Sequence, residues 1–484
     1  MKGILLFLVF SPFGLLFSQP CDLAIPNVKR YSNLHVLICP SVMALDLVQL
    51  KEAVSETHPG PYYGCTEAVF EKAYQRALAR VKTPKTVLEF SQIVNEFIGT
   101  LEDSHTALNP RDLLTLCEKK RQLAPFYLTR IGGDFYLSRI RNKAISLGVQ
   151  VLAVNEFTVG QLYDFAVSLA PRESASFQAR NEIISLMMGL IFNILNERPD
   201  QPVQMKFISI DGDTVRSIVP TLKVKQYISK NQWNKKKDLV FNIDESKAYL
   251  GLSTFEARRE RHFKREIDSF FKKVEKNSIG HVVIDVRNNR GGYVLLLEYV
   301  LSYLNKEGAT FDLNYLYKRS PLDRFETLSR LKKIDFEKRA MRVYPEGMIS
   351  KEYDFYQSEK GTISSILYQK ELRNKNGLAY SGKCTLFTNG LSMSASALMS
   401  SWFKEQKRGE IIGTPCFGAM DGTHGNPARI VLKHSRIPIS ISTLKLSTSF
   451  KGAGHEISPE VILGYSIDDI INGSDPFKRY YRNL

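Results

Sequence analysis

Few residue types associated with bound metals are available in this chain of 484 residues, which holds six cysteines and eight histidines. No two cysteines form a C-x-x-C pair, which argues against a zinc ribbon. No metal constellation stands out. The chain also lacks a P-loop and a glycine fingerprint for a dinucleotide, so no cofactor is expected. After the N-terminal segment no run reaches 18 uninterrupted apolar residues, so no later stretch reads as a membrane-spanning helix. Internal repeats and low-complexity tracts are missing too.

What is present is more than one hydrophobic core can organise, and two or three domains are expected from the length. Hydrophobic content of 43% and charged content of 24% are ordinary for a globular protein. The net charge of +16 is spread along the chain. Its densest run, Arg258 to Lys273, carries Phe263, Ile267, Phe270 and Phe271 at helical spacing. That run reads as a packed helix with a charged outer face rather than a nucleic-acid surface, and no nucleic-acid partner is expected.

Lys2 and Gly3 precede ILLFLVFSPFGLLF, which is followed by SQPC. A basic start, a short apolar stretch and small or polar residues after it read as a secretory signal, with cleavage after Ser18. The mature protein is therefore expected to be exported: periplasmic, secreted or associated with the cell envelope. Cys21 offers a site for a lipid tether at a membrane surface. In an exported protein some of Cys21, Cys39, Cys65, Cys117, Cys384 and Cys416 are candidates for disulfides. Cys384 lies in an apolar strand and reads as a small packing residue.

Residues 19–118 read as a helical segment, with apolar residues at three- and four-residue spacing through MALDLVQLKEAV, EAVFEKAYQRALARV and TVLEFSQIVNEFIGTL. Residues 119–222 read as a small mixed domain. Hairpins turn at Gly132-Gly133 and Asp211-Gly212, and LGVQVLAV forms a strand that turns at Asn155-Glu156 into a helix. From 223 to 484 strands and helices alternate, through AYLGLSTF, HVVIDVR, YVLLLEYVLSYL, KCTLFT, SASALMSSWFKEQ and EIIGT. That alternation predicts an α/β layer with parallel strands. Residues 306–380, charged and aromatic, read as an irregular insertion or flap.

Three short stretches carry candidate chemistry. Thr388 to Lys404, TNGLSMSASALMSSWFK, places serines 392, 394 and 396 where a buried strand turns into a helix. A serine there either caps the helix or presents its hydroxyl beside free N–H groups that can stabilise an oxyanion. Ile284 to Tyr293, IDVRNNRGGY, ends a buried strand in Asp285 and Arg287 and loops through Gly291-Gly292, which allows close backbone approach. EDSHTALNP puts His105 at the end of an amphipathic helix among polar neighbours.

Taken together, these stretches resemble the C-terminal processing (tail-specific) serine peptidases, in the branch with the tricorn core protease and the interphotoreceptor retinoid-binding protein repeats. The resemblance runs over most of the mature chain. It rests on D-x-H-T at Asp103 to Thr106, a PDZ-like segment at LGVQVLAVNEFTVGQL, D-x-R-x-N-x-G-G at Asp285 to Gly292, S-x-S-A-S at Ser392 to Ser396, and glycines at Gly413 and Gly418. Glu156 stands where the PDZ-like motif usually has glycine. The resemblance implies an α/β, multi-domain fold: an N-terminal helical segment, a PDZ-like domain and an α/β (crotonase-like) peptidase domain.

It also implies roles. Ser394 would be the nucleophile, with Gly291 or Gly292 and Ala395 supplying the oxyanion hole. One branch uses a lysine about 25 residues after the serine; that slot holds Ala419, so a Ser–Lys dyad is not expected. The other branch uses a histidine preceded by a serine, matched by Ser104-His105. The orienting carboxylate would come from FKGAGHEISPEV, with Glu456 the candidate and Glu460 the competitor. His424 and His455 sit in glycine-rich loops and could be mistaken for the base. Ser392 and Ser396 would be capping and packing residues, and Asp285 and Arg287 strand-end anchors. The expected activity is endopeptidase cleavage of peptide or protein substrates. The competing expectation is a catalytically silent protein that binds peptides or apolar ligands on the same scaffold.

Overall fold

The computed structural model describes residues 34–484 except 117–121, 141–144, 174–175, 224–236, 257–259, 306–308, 323–331, 341–348, 375–376 and 451–453. The expected signal segment 1–18, Cys21 and Cys117 lie outside the described residues.

Three helices open the described chain: Pro40–Thr57, Glu67–Arg80 and Val87–Ile98. The third begins in a capping box. The Thr86 side chain accepts from the Glu89 N–H, and the Glu89 carboxylate accepts from the Thr86 N–H at 2.7 Å. A turn of 3-10 helix, Gly99–Leu101, ends at Glu102 in the left-handed conformation, and the chain swings out into the loop that carries His105. HPGPYYG, from His58, forms the loop between the first two helices.

A six-stranded mixed sheet forms the centre of the C-terminal half. Its order is Leu239–Ile243, Lys247–Leu252, His281–Asp285, Lys383–Thr388, Glu410–Gly413 and Val461–Ile462. The first pair is antiparallel and the others are parallel. Alternation decides which residues meet which layer. Val282, Ile284, Leu386 and Ile411 pack with helices Glu260–Lys276, Val294–Leu301 and Ala395–Glu405, whereas Val283, Phe387 and Ile412 pack with Phe477 and Tyr481 of the C-terminal helix Pro476–Asn483. Both faces are covered, which explains why these strands are apolar throughout. The basic run is the helix Glu260–Lys276 as expected, with Phe263, Ile267, Phe270 and Phe271 buried.

A second sheet corrects the reading of 306–380 as irregular. Thr310–Lys318 and Ile363–Glu371 pair antiparallel over nine positions, and Leu444–Ser447 and Gly422–Gly425 extend them to four strands. Along TFDLNYLYK the residues Phe311, Leu313, Tyr315 and Tyr317 are buried and their neighbours are not. This is a strand with period two, hidden by its aromatic and charged composition.

Residues 126–219 form an antiparallel sheet, ordered Phe126–Ile131, Asp134–Ile140, Gln150–Val154, Val203–Ile208 and Thr214–Val219, with helices Val159–Leu169 and Phe177–Leu195. One apolar cluster runs from the N-terminal helices through this sheet to Ile430, Leu432, Ile437, Ile439 and Ile441. The two N-terminal regions therefore share a core, and the C-terminal hairpin Ala428–Val431 and Pro438–Ile441 docks on it. Among the described residues no helix is long and apolar enough to cross a membrane.

Candidate active site

Ser394 sits at the junction of strand Lys383–Thr388 and helix Ala395–Glu405, with φ 53° and ψ −120°. A non-glycine residue there is strained, and a strained strand-to-helix turn is how a nucleophilic serine is held proud of its backbone. Its side chain makes no capping bond. Ser392, expected as a capping residue, bonds no N–H of the helix and braces the turn before it. The Ser392 hydroxyl accepts from the Asn389 N–H at 3.1 Å and donates to the Val286 carbonyl at 2.8 Å, tying the serine turn to the end of strand His281–Asp285. Ser396 is fully buried and packs within the helix.

The glycine pair lies directly against this turn. Gly291 has φ +92°, and a Cβ there would fall 2.7 Å from the Ser394 Cβ and 2.9 Å from the Ala395 nitrogen. A Cβ on Gly292, at φ +139°, would strike the Phe255 backbone at 2.2 Å. Only glycine fits either position. The Gly291 N–H is occupied by the Asn289 side-chain oxygen at 2.9 Å. Asn289 is itself buried and reaches the Leu252 carbonyl at 3.1 Å. Ala395 is the first residue of its helix, so its N–H has no partner within the helix.

A half-buried glutamate from helix Phe177–Leu195 supports the turn. Glu182 accepts from the Gly390 N–H at 2.9 Å, the Asn389 amide at 3.1 Å and the Thr414 hydroxyl at 3.0 Å. Burial pushes its carboxyl above the ordinary value. Asp285 and Arg287 anchor a strand end. Arg287 pairs with Asp285 at 2.7 Å and Asp475 at 3.0 Å, and stacks on Phe477.

His105 is partly accessible, with 20% of its side chain exposed. Its Nδ1 edge faces the Ser104 hydroxyl at 3.5 Å and the Asp103 Oδ1 at 3.7 Å, which leaves Nε2 for proton transfer. The loop is fixed by the C-terminal hairpin: Ala107 and Ser440 exchange backbone hydrogen bonds at 3.2 and 3.1 Å, and the Ser442 N–H donates to the Thr106 hydroxyl at 2.9 Å.

Asp103 is fully buried at the centre of a polar cluster. Its Oδ2 accepts from the Thr106 hydroxyl at 2.6 Å, the Ser442 hydroxyl at 2.6 Å and the His58 Nε2 at 3.1 Å. Its Oδ1 accepts from the His105 N–H at 2.8 Å, and the His424 Nδ1 lies 3.6 Å away. Burial works against the Asp103 charge, but the imidazoles of His424, His105 and His58 outweigh it and hold the carboxyl well below its ordinary value. Burial alone would lower His105. The hydrogen bond and charge of Asp103, helped by Glu173, raise it. His424, expected in a glycine-rich loop, lies buried in strand Gly422–Gly425, and burial drives it down to about 3. Glu173 accepts from the Ser104 N–H at 3.0 Å, and burial together with the Asp103 charge raises it to about 7.

Ligand atoms of His58, Asp103 and His424, and of Asp103, His105 and Glu173, lie within 4.8 Å of one another, a spacing that could hold a cation. The hydrogen bonds argue otherwise. The Gly60 N–H donates to the His58 Nδ1 at 3.2 Å, so Nε2 carries the proton that Asp103 accepts. That nitrogen has no lone pair to give a metal.

Of the residues expected at the site, Ser394, Gly291 and Ala395 are in mutual contact, and Ser104 and His105 stand with Asp103. Among the described residues no hydrogen bond joins Ser394 to His105. The two sides are linked through residues 173–176. Glu173 holds Ser104, while the Ser176 hydroxyl and the Gly418 backbone exchange bonds at 3.0 Å. Gly418 in turn abuts Ala397, a turn of helix from Ser394. Glu456 bridges to Ala419 and accepts from the Ser458 hydroxyl at 3.2 Å; the carboxylates that act on His105 are Asp103 and Glu173. Glu460 accepts from the Ile411 N–H at 2.7 Å and pairs with Lys404, as a structural acid would. His455 is exposed beside Phe450.

Residues 246–449 match the family model of peptidase family S41. That match covers somewhat less than half of the chain and marks this region as a peptidase S41 domain. The protein is a serine-type peptidase. Mature CPAF complexed with lactacystin is similar in structure, with a TM-score of 0.63, 15% identity, 92% of this chain covered and 97% of that one. Mature CPAF alone gives a TM-score of 0.61 at 14% identity, covering 91% of this chain and 95% of that one. At such identities the likeness shows the fold of this peptidase. No curated protein matches the chain.

His58, Glu173, Glu182 and Ser442 were not singled out from the sequence. Each is one polar residue in an unremarkable stretch, and only the pairing of distant segments gives it a role.

Proposed function

We propose that the peptidase is an exported endopeptidase in which Ser394 attacks the peptide carbonyl and His105 is the general base. The observation that carries this reading is the turn at Ser394: strained, uncapped, and pressed against a glycine that tolerates no side chain. His105 takes the hydroxyl proton through Nε2 as Ser394 attacks, then returns it to the leaving amine. The Ala395 N–H and the Gly292 N–H are the oxyanion donors in this proposal, because Asn289 occupies that of Gly291. Ser104 polarises the His105 ring. Glu456 keeps a place as a carboxylate of the site: its backbone pairs with Ala419, and its carboxylate accepts from the Ser458 hydroxyl.

The sheet of residues 126–219 is read as the PDZ-like domain that receives extended peptides. Asn155 takes the left-handed conformation at φ 51° in its turn, so Glu156 can replace the usual glycine without strain. Export is supported by Cys39, which is disulfide-bonded. A tether at Cys21 remains part of this proposal.

Digestion of a mixed peptide library by the mature protein, read by mass spectrometry, tests the proposal beside Ser394→Ala and His105→Ala. Cleavage by the wild type that both variants lose supports it. Cleavage surviving in Ser394→Ala refutes the nucleophile. A folded wild type that cleaves nothing favours the alternative, a silent peptide- or apolar-ligand-binding protein.

A further inference from the structure

We propose that Arg111, Arg139 and Arg290, gathered around Tyr127, form a subsite for an acidic side chain of the peptide substrate, close to the bond that is cut. The inference rests on the proposed peptidase site, because Arg290 belongs to the loop that presses on Ser394. Arg290 fills an open position of D-x-R-x-N-x-G-G, so the turn itself does not call for an arginine. Its neighbours hold its backbone still. The Asn289 carbonyl accepts from the Met393 N–H at 3.0 Å, and the Asn289 side chain accepts from the Gly291 N–H at 2.9 Å. The root of the Arg290 side chain is thus set beside the glycine whose Cβ would touch Ser394.

Three segments bring the positive charge together. Arg290 comes from the glycine loop, and Arg111 from helix Pro110–Leu116, which follows the His105 loop. Arg139 comes from strand Asp134–Ile140, where it stands opposite Tyr127 and lies 5.7 Å from the centre of that ring. Burial raises the Tyr127 hydroxyl, and the charges of Arg111, Arg139 and Arg290 work against that rise. Burial of part of the Arg290 side chain lowers its guanidinium, and the Arg111 charge lowers it further. All three arginines nonetheless keep exposed surface that a substrate can reach. Among the described residues no carboxylate pairs with Arg111 or Arg290; Asp112, next to Arg111, pairs with Arg429 at 3.2 Å. Like charges held so close repel, and an anion between them relieves the repulsion. The guanidinium fork suits a carboxylate, which it binds through two parallel hydrogen bonds.

The test is cleavage of paired peptides, acetylated and amidated at their ends, that differ by Glu or Gln at one position within about three residues of the bond cut. The Glu-to-Gln ratio of kcat/KM is read within each enzyme, so a general loss of activity does not enter it. The wild type is expected to prefer Glu by ~10-fold or more at one position, and Arg111→Gln and Arg290→Gln each to bring that ratio down to ~3-fold or less. Arg261→Gln, in the basic helix and exposed, controls for net charge and is expected to keep the wild-type ratio. A wild type without preference at any position overturns the proposal. So does a ratio that survives in the double variant of Arg111→Gln and Arg290→Gln, or one that falls equally in Arg261→Gln. A preference that appears only when the C-terminus is left free also overturns it, since the carboxylate is then the chain end. Cleavage without charge preference sinks the subsite and leaves the peptidase reading intact. Should no peptide be cleaved, the peptidase reading fails by itself, and fluorescence anisotropy of a Glu peptide and its Gln counterpart on the wild type and Arg290→Gln decides. Tighter binding of the Glu peptide that Arg290→Gln abolishes supports the subsite, and equal binding overturns it.

Discussion

The Ser442 hydroxyl donates to the Asp103 Oδ2 at 2.6 Å, across 339 positions of the chain. With the backbone bonds between Ala107 and Ser440, it locks the loop of His105 to a hairpin of the C-terminal half. His105 is thus delivered by the N-terminal helices and held by the half that carries Ser394.

That arrangement predicts a pH dependence. A general base works in its neutral form, so activity must rise with pH through the His105 midpoint. Asp103, with help from Glu173, raises that midpoint above the ordinary 6.5. The profile of kcat/KM should therefore show its rising limb centred above 6.5. A limb centred below that value would show that Asp103 does not stabilise the charged ring.

Gly291→Ala should remove activity and lower stability. The added methyl would lie 2.7 Å from the Ser394 Cβ at a φ of +92°, so the serine turn has to move. The expected cost is about 1–3 kcal/mol in unfolding free energy and at least ~10²-fold in kcat/KM. Chemical denaturation and peptide cleavage measure the two separately.

Glu182→Ala should loosen the serine turn from a distance. It leaves the Gly390 N–H and the Thr414 hydroxyl without their acceptor. A loss of about 2–3 kcal/mol in stability is expected, with kcat falling ~10-fold or more. Glu182→Gln keeps an acceptor oxygen and should recover part of both. Equal effects of the two variants would show that the contacts are incidental.

Glu173→Gln should stabilise the protein at alkaline pH. The folded Glu173 value, about 7, exceeds the ordinary 4.5, so folding favours its protonated form. That preference helps the fold at low pH and turns against it as pH rises through about 7. The variant should gain about 1 kcal/mol near pH 8 and lose that advantage near pH 4, read by thermal melts at both. An equal effect at the two values would refute the shift.

Much of the site was legible in the sequence because its parts are local. S-x-S-A-S and D-x-R-x-N-x-G-G are short segments in which strand, turn and helix follow one another, and the glycines mark where backbone must come close. The apolar run HVVIDVR predicts a strand covered on both faces and KCTLFT a further strand, and the sheet holds the two side by side with both faces covered. The strand Thr310–Lys318 was missed, because four buried aromatic and aliphatic residues alternate with charged and polar ones in a stretch that composition marks as irregular.

The sequence by itself determined the elements, the serine turn and the histidine loop, since each depends on neighbours in the chain: periodicity, capping and positive φ. Tertiary structure alone decided the surroundings of His105. Asp103 has polar neighbours in the chain; it is buried because His58, His424 and Ser442 arrive from three other segments to satisfy it. A buried charge persists only where such partners converge, and no local pattern in the chain records that convergence.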